Sequence, residues 1–246
     1  MMRSLCTWNH SSEGERSLTA KASCHFWATS FRRFKVGEVI PTERFAVMGK
    51  RIRSIEVSDA PAVRDIYAPF VSDSATSFEI VPPDVSEVER RIMDLRARYP
   101  WLVFESDGNV LGFAYASPHR ARPAYQWSVD VSVYIDSDSQ HRGIGRALYT
   151  ALFALLRRQG YFNAYAGIAL PNQASVGLHE SLGFTPIGIF ERTGFKFGQW
   201  HDVVWLQLRL LEDPRPTEDP LRADKLYEDD RIVAMLFECA QSVSLD

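Results

Sequence analysis

The stretch Ser139–Leu148, SQHRGIGRAL, decides how this chain is read. Just upstream, WSVDVSVYI (127–135) alternates strictly. Trp127, Val129, Val131, Val133 and Ile135 share one face; Ser128, Asp130, Ser132 and Tyr134 share the other, which is the period of a half-buried strand. Just downstream, Leu148, Leu152, Leu155 and Leu156 recur at helical spacing. They predict a helix from about Gly143 to Gln159, stopped by Gly160. The quoted stretch is therefore a strand-to-helix corner. The first N–H groups of a helix have no intrahelical partner, and the helix dipole adds partial positive charge there. Gly143 and Gly145 have no Cβ, so an anion can come close to the backbone, and Arg142 and Arg146 add charge. The corner reads as a phosphate or pyrophosphate cradle. A P-loop needs Lys-Ser/Thr where Arg146-Ala147 stand. A Rossmann turn needs a third glycine where Leu148 stands, and an acidic residue about 20 positions on. An ordinary glycine-containing turn is the plain alternative.

Working outward, IRSIEV (52–57) is a short strand. Ser58 or Asp59 caps a helix with Pro61 in its first turn. Asp84 and Glu87 form a capping-box-like pair before VERRIMDLRARY (88–99). WLVFE, SDGN and VLGFAYA (101–116) make a hairpin around Asp107-Gly108. AYAGIAL (164–170) is a strand, and NQASVGLHESLGF (172–184) is a helix capped by Asn172 and ended by Gly183. FTPIGIF (184–190) and VVWLQLRL (203–210) are late strands. The expected fold class is α/β (α+β): a mixed sheet of six to seven strands with helices on both faces.

The rest of the chain bounds the function more loosely. Its 246 residues and 46% apolar composition suit one sizeable domain with attachments. A net charge of −3 gives no electrostatic reason to expect nucleic acid or an acidic membrane surface. Cys6, Cys24 and Cys239 form no CxxC pair, which argues against a disulfide framework or a zinc site and fits a reducing cytoplasm. No apolar run approaches the ~20 residues needed to span a bilayer. Residues 1–47 read as a poorly ordered extension, with Met48 as a candidate start. Residues 51–211 read as the domain. Residues 212–246 read as a Pro- and acid-rich linker or tail, with a short helix expected at RIVAMLFECA (231–240).

Gln140-x-x-Gly143-x-Gly145 resembles the Q/R-x-x-G-x-G/A motif of the GNAT superfamily of acetyl-CoA-dependent N-acetyltransferases. Asn172 and LHESLGF fall where that superfamily has its N…LYEKLGF helix. RYPWLVFE (98–105), AYASPHRARPAYQWSVDVSVYI (114–135), LPNQASVGLHESLGF (170–184) and GFKFGQWHDVVWLQL (194–208) resemble the phosphinothricin acetyltransferase family. That family includes enzymes acting on phosphinothricin, methionine sulfoximine, methionine sulfone and, in some relatives, arsinothricin. The resemblance covers about residues 51–211.

The resemblance implies the GNAT fold, acetyl-CoA as cosubstrate, no metal, direct acetyl transfer to the α-amino group of a small amino-acid-like substrate, and a homodimer. It implies residue roles as well. Asp130 is the expected base, where the family has Glu in TVEST; its side chain is shorter by roughly 1.5 Å, so it is expected to act through a bridging water. His179 stands where much of the superfamily has a Tyr that assists the departing thiolate, and a packing role is its plain alternative. Backbone groups of Val133 and Ile135 are expected along the pantetheine arm, with the oxyanion near Val133 or Tyr134. The corner Gln140, His141, Arg142, Gly143, Ile144, Gly145 and Arg146 is expected on the pyrophosphate, and Asn172 and Ser175 on the far side of the arm. Arg120 and Arg122, at the family's Lys-x-Arg, are expected to grip acidic groups of the substrate. Phe78, Tyr125, Ser132 and Val203 complete the substrate side. In GNAT proteins the Asp130 strand splays from its neighbour to admit the cofactor. Phe195, Phe197, Trp200 and Trp205 are candidates for a subunit interface. The alternatives are acetylation of another amine (polyamine, aminoglycoside or protein N-terminus), which the twin arginines disfavour, and a non-catalytic acyl-CoA-binding module.

Overall fold

The computed structural model describes residues 49–246 apart from Asp213, Pro214, Thr217 and Asp246. The expected N-terminal extension, Met48, Cys6 and Cys24 lie outside the described residues. In chain order the main elements are β1 (Arg51–Ser54), α1 (Ala60–Ser72), α2 (Val85–Leu95), β2 (Trp101–Ser106), β3 (Asn109–Pro118) and β4 (Ser128–Ile135). Then come α3 (Ile144–Gln159), β5 (Asn163–Ala169), α4 (Gln173–Ser181), β6 (Thr185–Lys196), β7 (Gln199–Arg209) and α5 (Asp230–Gln241). The strands form one sheet in the order β1-β2-β3-β4-β5-β7-β6. Every neighbouring pair is antiparallel except β4 and β5.

Period-two alternation sorts the strand residues into two cores. Leu102, Phe104, Ala114, Ala116, Val129, Val131, Ala164, Ala166, Ile168, Val204, Leu206 and Leu208 pack with the leucine stripe of α3. Trp101, Val103 and Phe113 point the other way, against Val63 and Ile66 of α1 and Val88 and Ile92 of α2. Helices therefore cover both faces of the sheet.

Local signals explain most boundaries. Asp107 and Gly108 both have positive φ, 50° and 83°, as a two-residue hairpin of right-handed twist requires. Gly160 ends α3 in the left-handed region, φ 91°. Asp84 accepts from Glu87 N at 2.8 Å, but the Glu87 carboxylate turns to Arg90 and Arg91, so the capping box is half made. Asp59 precedes α1 without capping it. Its carboxylate instead takes two hydrogen bonds from Arg53, at 2.7 and 2.8 Å, because a half-buried guanidinium needs an anion more than a helix end needs a cap.

Two expectations shift with tertiary packing. Trp127 does not continue the apolar face of β4; it lies before the strand and its indole donates to Glu218 O at 3.0 Å. The C-terminal stretch carries the expected helix as α5, and that helix joins the core. Ile232, Leu236 and Ala240 fall at i, i+4 and i+8, and pack with α3 and β1. Leu221 N donates to Gln159 O at 2.9 Å, holding the connecting segment along the end of α3.

Candidate active site

The site forms where the sheet comes apart. β4 pairs with β5 only at Ser128↔Asn163, Val129↔Ala164 and Asp130↔Tyr165. On its other edge β4 stays paired to β3 as far as Ile135, and β5 runs with β7 as far as Ala169↔Val203. From Val131 onward the facing edges of β4 and β5 therefore part, leaving a cleft lined by Val131–Tyr134 on one wall and Ala166–Ala169 on the other. Tyr149, Asn172, Ser175 and His179 line it from α3 and α4, and Thr76 from the loop after α1.

The glycine corner follows the parting strand. His141 and Gly143 take positive φ, 61° and 86°, and Gly143 begins α3 with no side-chain cap. The first-turn amides of α3 are thus left for another acceptor. At Gly145 a Cβ would meet the Leu178 side chain at 3.3 Å, so glycine lets α3 start close to α4 without moving that leucine. The cations flanking the corner are tethered: Arg146 Nη2 donates to Ser181 Oγ at 2.7 Å and Arg142 Nη1 to Leu245 O at 3.3 Å. Gln140 folds back so that its Nε2 reaches Ile135 O at 3.5 Å. Exposed amides, a positive helix end and two arginines are a donor set suited to a diphosphate.

Beside Asp130 and Tyr165, the last paired residues of β4 and β5, on the sheet face opposite α3, sits a residue that the sequence reading passed over. His119 Nδ1 lies 2.6 Å from Asp130 Oδ1, where a bridging water was expected. The imidazole stacks on Tyr165 at 4.3 Å between ring centroids and meets Tyr125 and Trp205 edge-on, at 5.9 and 6.3 Å. Arg120 donates to His119 O at 2.8 Å and holds its guanidinium 5.8 Å from the Trp205 ring. Burial pushes the Asp130 carboxyl above its ordinary value, against the hydrogen bond and charge of His119 and the charge of Arg120. Val203, on the same face of β7 as Trp205, is buried beside Ala169 and Phe190. Ser132 lines the cleft opposite Tyr115 of β3.

His179 lies on the opposite side of the sheet and is committed. It is 3% exposed. Nδ1 donates to Ser175 O at 2.7 Å, which leaves Nε2 to accept from Tyr149 Oη at 3.1 Å. Burial holds this imidazole below its ordinary pKa, against the hydrogen bond to Ser175. A neutral ring with both nitrogens occupied is a poor proton donor to a leaving thiolate. Asn172 Oδ1 caps α4 by accepting from Ser175 N at 3.1 Å, so its amide NH₂ is the part left for a ligand.

The remaining residues singled out from sequence are dispersed. Tyr134 points its ring away from the cleft into Tyr67, Phe70 and Phe113, at 4.9 to 5.3 Å, so only its backbone is at the cleft edge. Phe78 lies against Gly194 of β6, 6.2 Å from His201, and not in the cleft. Arg122 precedes the 3-10 turn Pro123–Tyr125 and is exposed. The groups missed were His119, Tyr149, Tyr165 and Trp205. Only His119 left a signal, as the histidine directly after Pro118, the last β3 residue paired to β4.

Comparisons with known proteins match this architecture. The acetyltransferase (GNAT) domain family matches residues 52–205. The chain is 41% identical over 167 residues to phosphinothricin N-acetyltransferase of Streptomyces viridochromogenes, covering 67% of this chain and 91% of that one. It is 36% identical over 166 residues to L-methionine sulfoximine/L-methionine sulfone acetyltransferase of Pseudomonas aeruginosa, covering 66% and 96%. A phosphinothricin acetyltransferase of Sinorhizobium meliloti, solved in complex with acetyl-CoA, superposes with a TM-score of 0.67 at 32% identity over 72% of this chain and 97% of that one. The parted strands, the glycine corner and these likenesses together assign the chain to the GNAT acetyltransferase family.

Proposed function

We propose that the protein moves the acetyl group of acetyl-CoA onto the α-amino group of a small amino-acid-like compound of the phosphinothricin or methionine sulfoximine type. One observation carries the reading: β4 and β5 part just past Asp130↔Tyr165, so the cleft between them opens next to a carboxylate, and the glycine corner follows where β4 ends. The diphosphate sits on the amides from Gln140 to Gly145, with Arg142 and Arg146 beside it. The pantetheine arm takes the place of the missing strand along β4, bonded to backbone groups of Val133 and Ile135 and approached by Asn172 and Ser175 from α4. The names of the similar enzymes support the substrate class. So does the cationic Arg120 beside the aromatic floor of Tyr165 and Trp205, with Arg122 nearby in sequence.

In this mechanism Asp130 supplies the carboxylate of the general base. The ammonium loses one proton toward it, and the freed nitrogen lone pair attacks the thioester carbonyl. A backbone N–H near Val133 or Tyr134 meets the developing oxyanion. The C–S bond breaks as the carbonyl re-forms, and the remaining extra proton on nitrogen passes to the thiolate, giving amide and free CoA thiol. His179 acts as a positioning residue that fixes the Tyr149 hydroxyl in the cleft wall. The test is thiol release from acetyl-CoA with a panel of phosphinothricin, methionine sulfoximine, methionine sulfone, arsinothricin, ordinary amino acids and a polyamine. Saturable turnover of an acidic amino-acid analogue is expected; turnover of the polyamine alone overturns the reading.

The active form is a homodimer in this reading. Ile187, Ile189, Phe190, Phe195, Phe197 and Trp200 expose large apolar surfaces on β6, β7 and the turn between them, and a second copy would cover them. Trp205, a sequence candidate for the same interface, instead belongs to the floor beside His119. Sedimentation equilibrium gives the mass: twice the chain mass is expected, and a monomer at micromolar concentration would refute it.

A further inference from the structure

We infer that His119 is the group that takes the proton from the incoming amine, with Asp130 beside it as the carboxylate that orients the ring and balances its charge. This rests on the acetyl-transfer reading above and adds a catalytic residue to it. The 2.6 Å contact with Asp130 Oδ1 makes Nδ1 the donor, so Nε2 carries the lone pair. Among the described residues no group bonds Nε2, whereas the His179 ring has both nitrogens occupied. The ring cannot swing: Tyr165 stacks beneath it with an interplanar angle of 21°, and Tyr125 and Trp205 flank it. Its side chain is 13% exposed, so bulk water competes little for Nε2, and the Asp130 side chain beside it is 30% exposed. Tyr165 is also the last β5 residue paired to β4, so His119 sits beside the point where the two strands part. The imidazole restores the reach that the shorter aspartate side chain gives up.

The step balances without a further reactant. The ammonium N–H electrons become the nitrogen lone pair, the proton goes to Nε2, and the imidazolium forms beside an anionic Asp130. After amide formation the imidazolium releases that proton to solvent, and the thiolate keeps the second proton, the one lost by nitrogen.

The experiment uses the full chain, acetyl-CoA and the panel amine turned over fastest. His119→Phe keeps the stacking on Tyr165 and removes both nitrogens. Its kcat is expected to fall by about 10²- to 10⁴-fold, the range of a lost general base, with acetyl-CoA affinity by calorimetry unchanged. Imidazole added to His119→Ala is expected to restore turnover in proportion to its concentration as free base, which a packing role would not produce. Histidine ¹⁵N spectra add a readout independent of turnover: the neutral His119 ring should carry its proton on Nδ1 and leave Nε2 bare, a tautomer reversed or mixed in Asp130→Asn. A His119→Phe enzyme within about threefold of wild type, a His119→Ala enzyme deaf to imidazole, or a neutral native ring protonated on Nε2 each overturns the assignment. Failure of the wider reading looks different, because it shows in the wild-type enzyme as turnover confined to the polyamine.

Discussion

Two histidines flank the cleft, and they behave in opposite ways. His179 stands on the α3 and α4 side at a position the family resemblance marked for catalysis, yet it is sealed between Ser175 O and the Tyr149 hydroxyl. His119 stands on the opposite side, in a loop noticed for Arg120, Arg122 and Tyr125, and keeps one nitrogen uncommitted against a carboxylate. The difference is one of hydrogen-bond accounting. A buried imidazole whose two nitrogens are both satisfied is held neutral and fixed; one that is half satisfied by an anion is primed to accept a proton.

The largest effect that bears on this contrast is expected from Asp130→Asn. The amide cannot balance an imidazolium or accept a proton itself, so kcat should drop by about 10²- to 10⁴-fold while calorimetry with acetyl-CoA stays near wild type. Unchanged turnover would remove the carboxylate from the mechanism and with it the distinction between the two sides. In the wild type the acid limb of kcat/KM belongs to the His119–Asp130 pair, and burial of the Asp130 carboxyl moves it above the ordinary carboxylate range; Asp130→Asn should change the shape of that limb.

His179→Phe tests the other side. It strips the Tyr149 hydroxyl of its acceptor, so about 2 kcal/mol of stability should be lost and Tm should fall by about 5 °C. The pH profile of kcat/KM should keep its shape. The sign of its linkage is also fixed. The folded pKa of His179 lies below its unfolded value, so the unfolded chain binds more protons below about pH 6.5, and the native state loses stability as pH falls through that value toward the folded pKa. The Phe variant should lose that part of the acid sensitivity; an acid limb of turnover that vanished with it would make the committed histidine the reactive one.

Gly143→Val probes the corner that both sides share. At φ 86° a β-branched side chain costs about 1–2 kcal/mol, so KM for acetyl-CoA should rise about tenfold with a smaller change in kcat. The smallest effect is expected from Arg120→Ala. Loss of an exposed guanidinium over Trp205 should raise KM for the amino-acid substrate about threefold and leave that for acetyl-CoA alone. An effect on acetyl-CoA instead would place Arg120 on the cofactor side.

Much of the architecture is written locally. The alternation of 128–135, the leucine spacing of α3, the glycines at 143 and 160 and the Asp107-Gly108 turn act over a few residues, through sterics and burial that any neighbours would enforce. They set the sheet, its helices and the glycine corner, and they put Asp130 on the strand face opposite the α3 core. Three features needed the folded chain. Where β4 and β5 stop pairing depends on how β3 and β7 hold their outer edges, which no window of sequence contains. Docking of α5 onto α3 and β1 joins residues almost two hundred positions apart, so composition alone made that segment look like a tail. The fate of each histidine was set by which oxygen the fold brought within 3.1 Å of its nitrogens. Periodicity reports the face a side chain occupies; only tertiary contact supplies its hydrogen-bond partner, and for an imidazole the partner decides the chemistry.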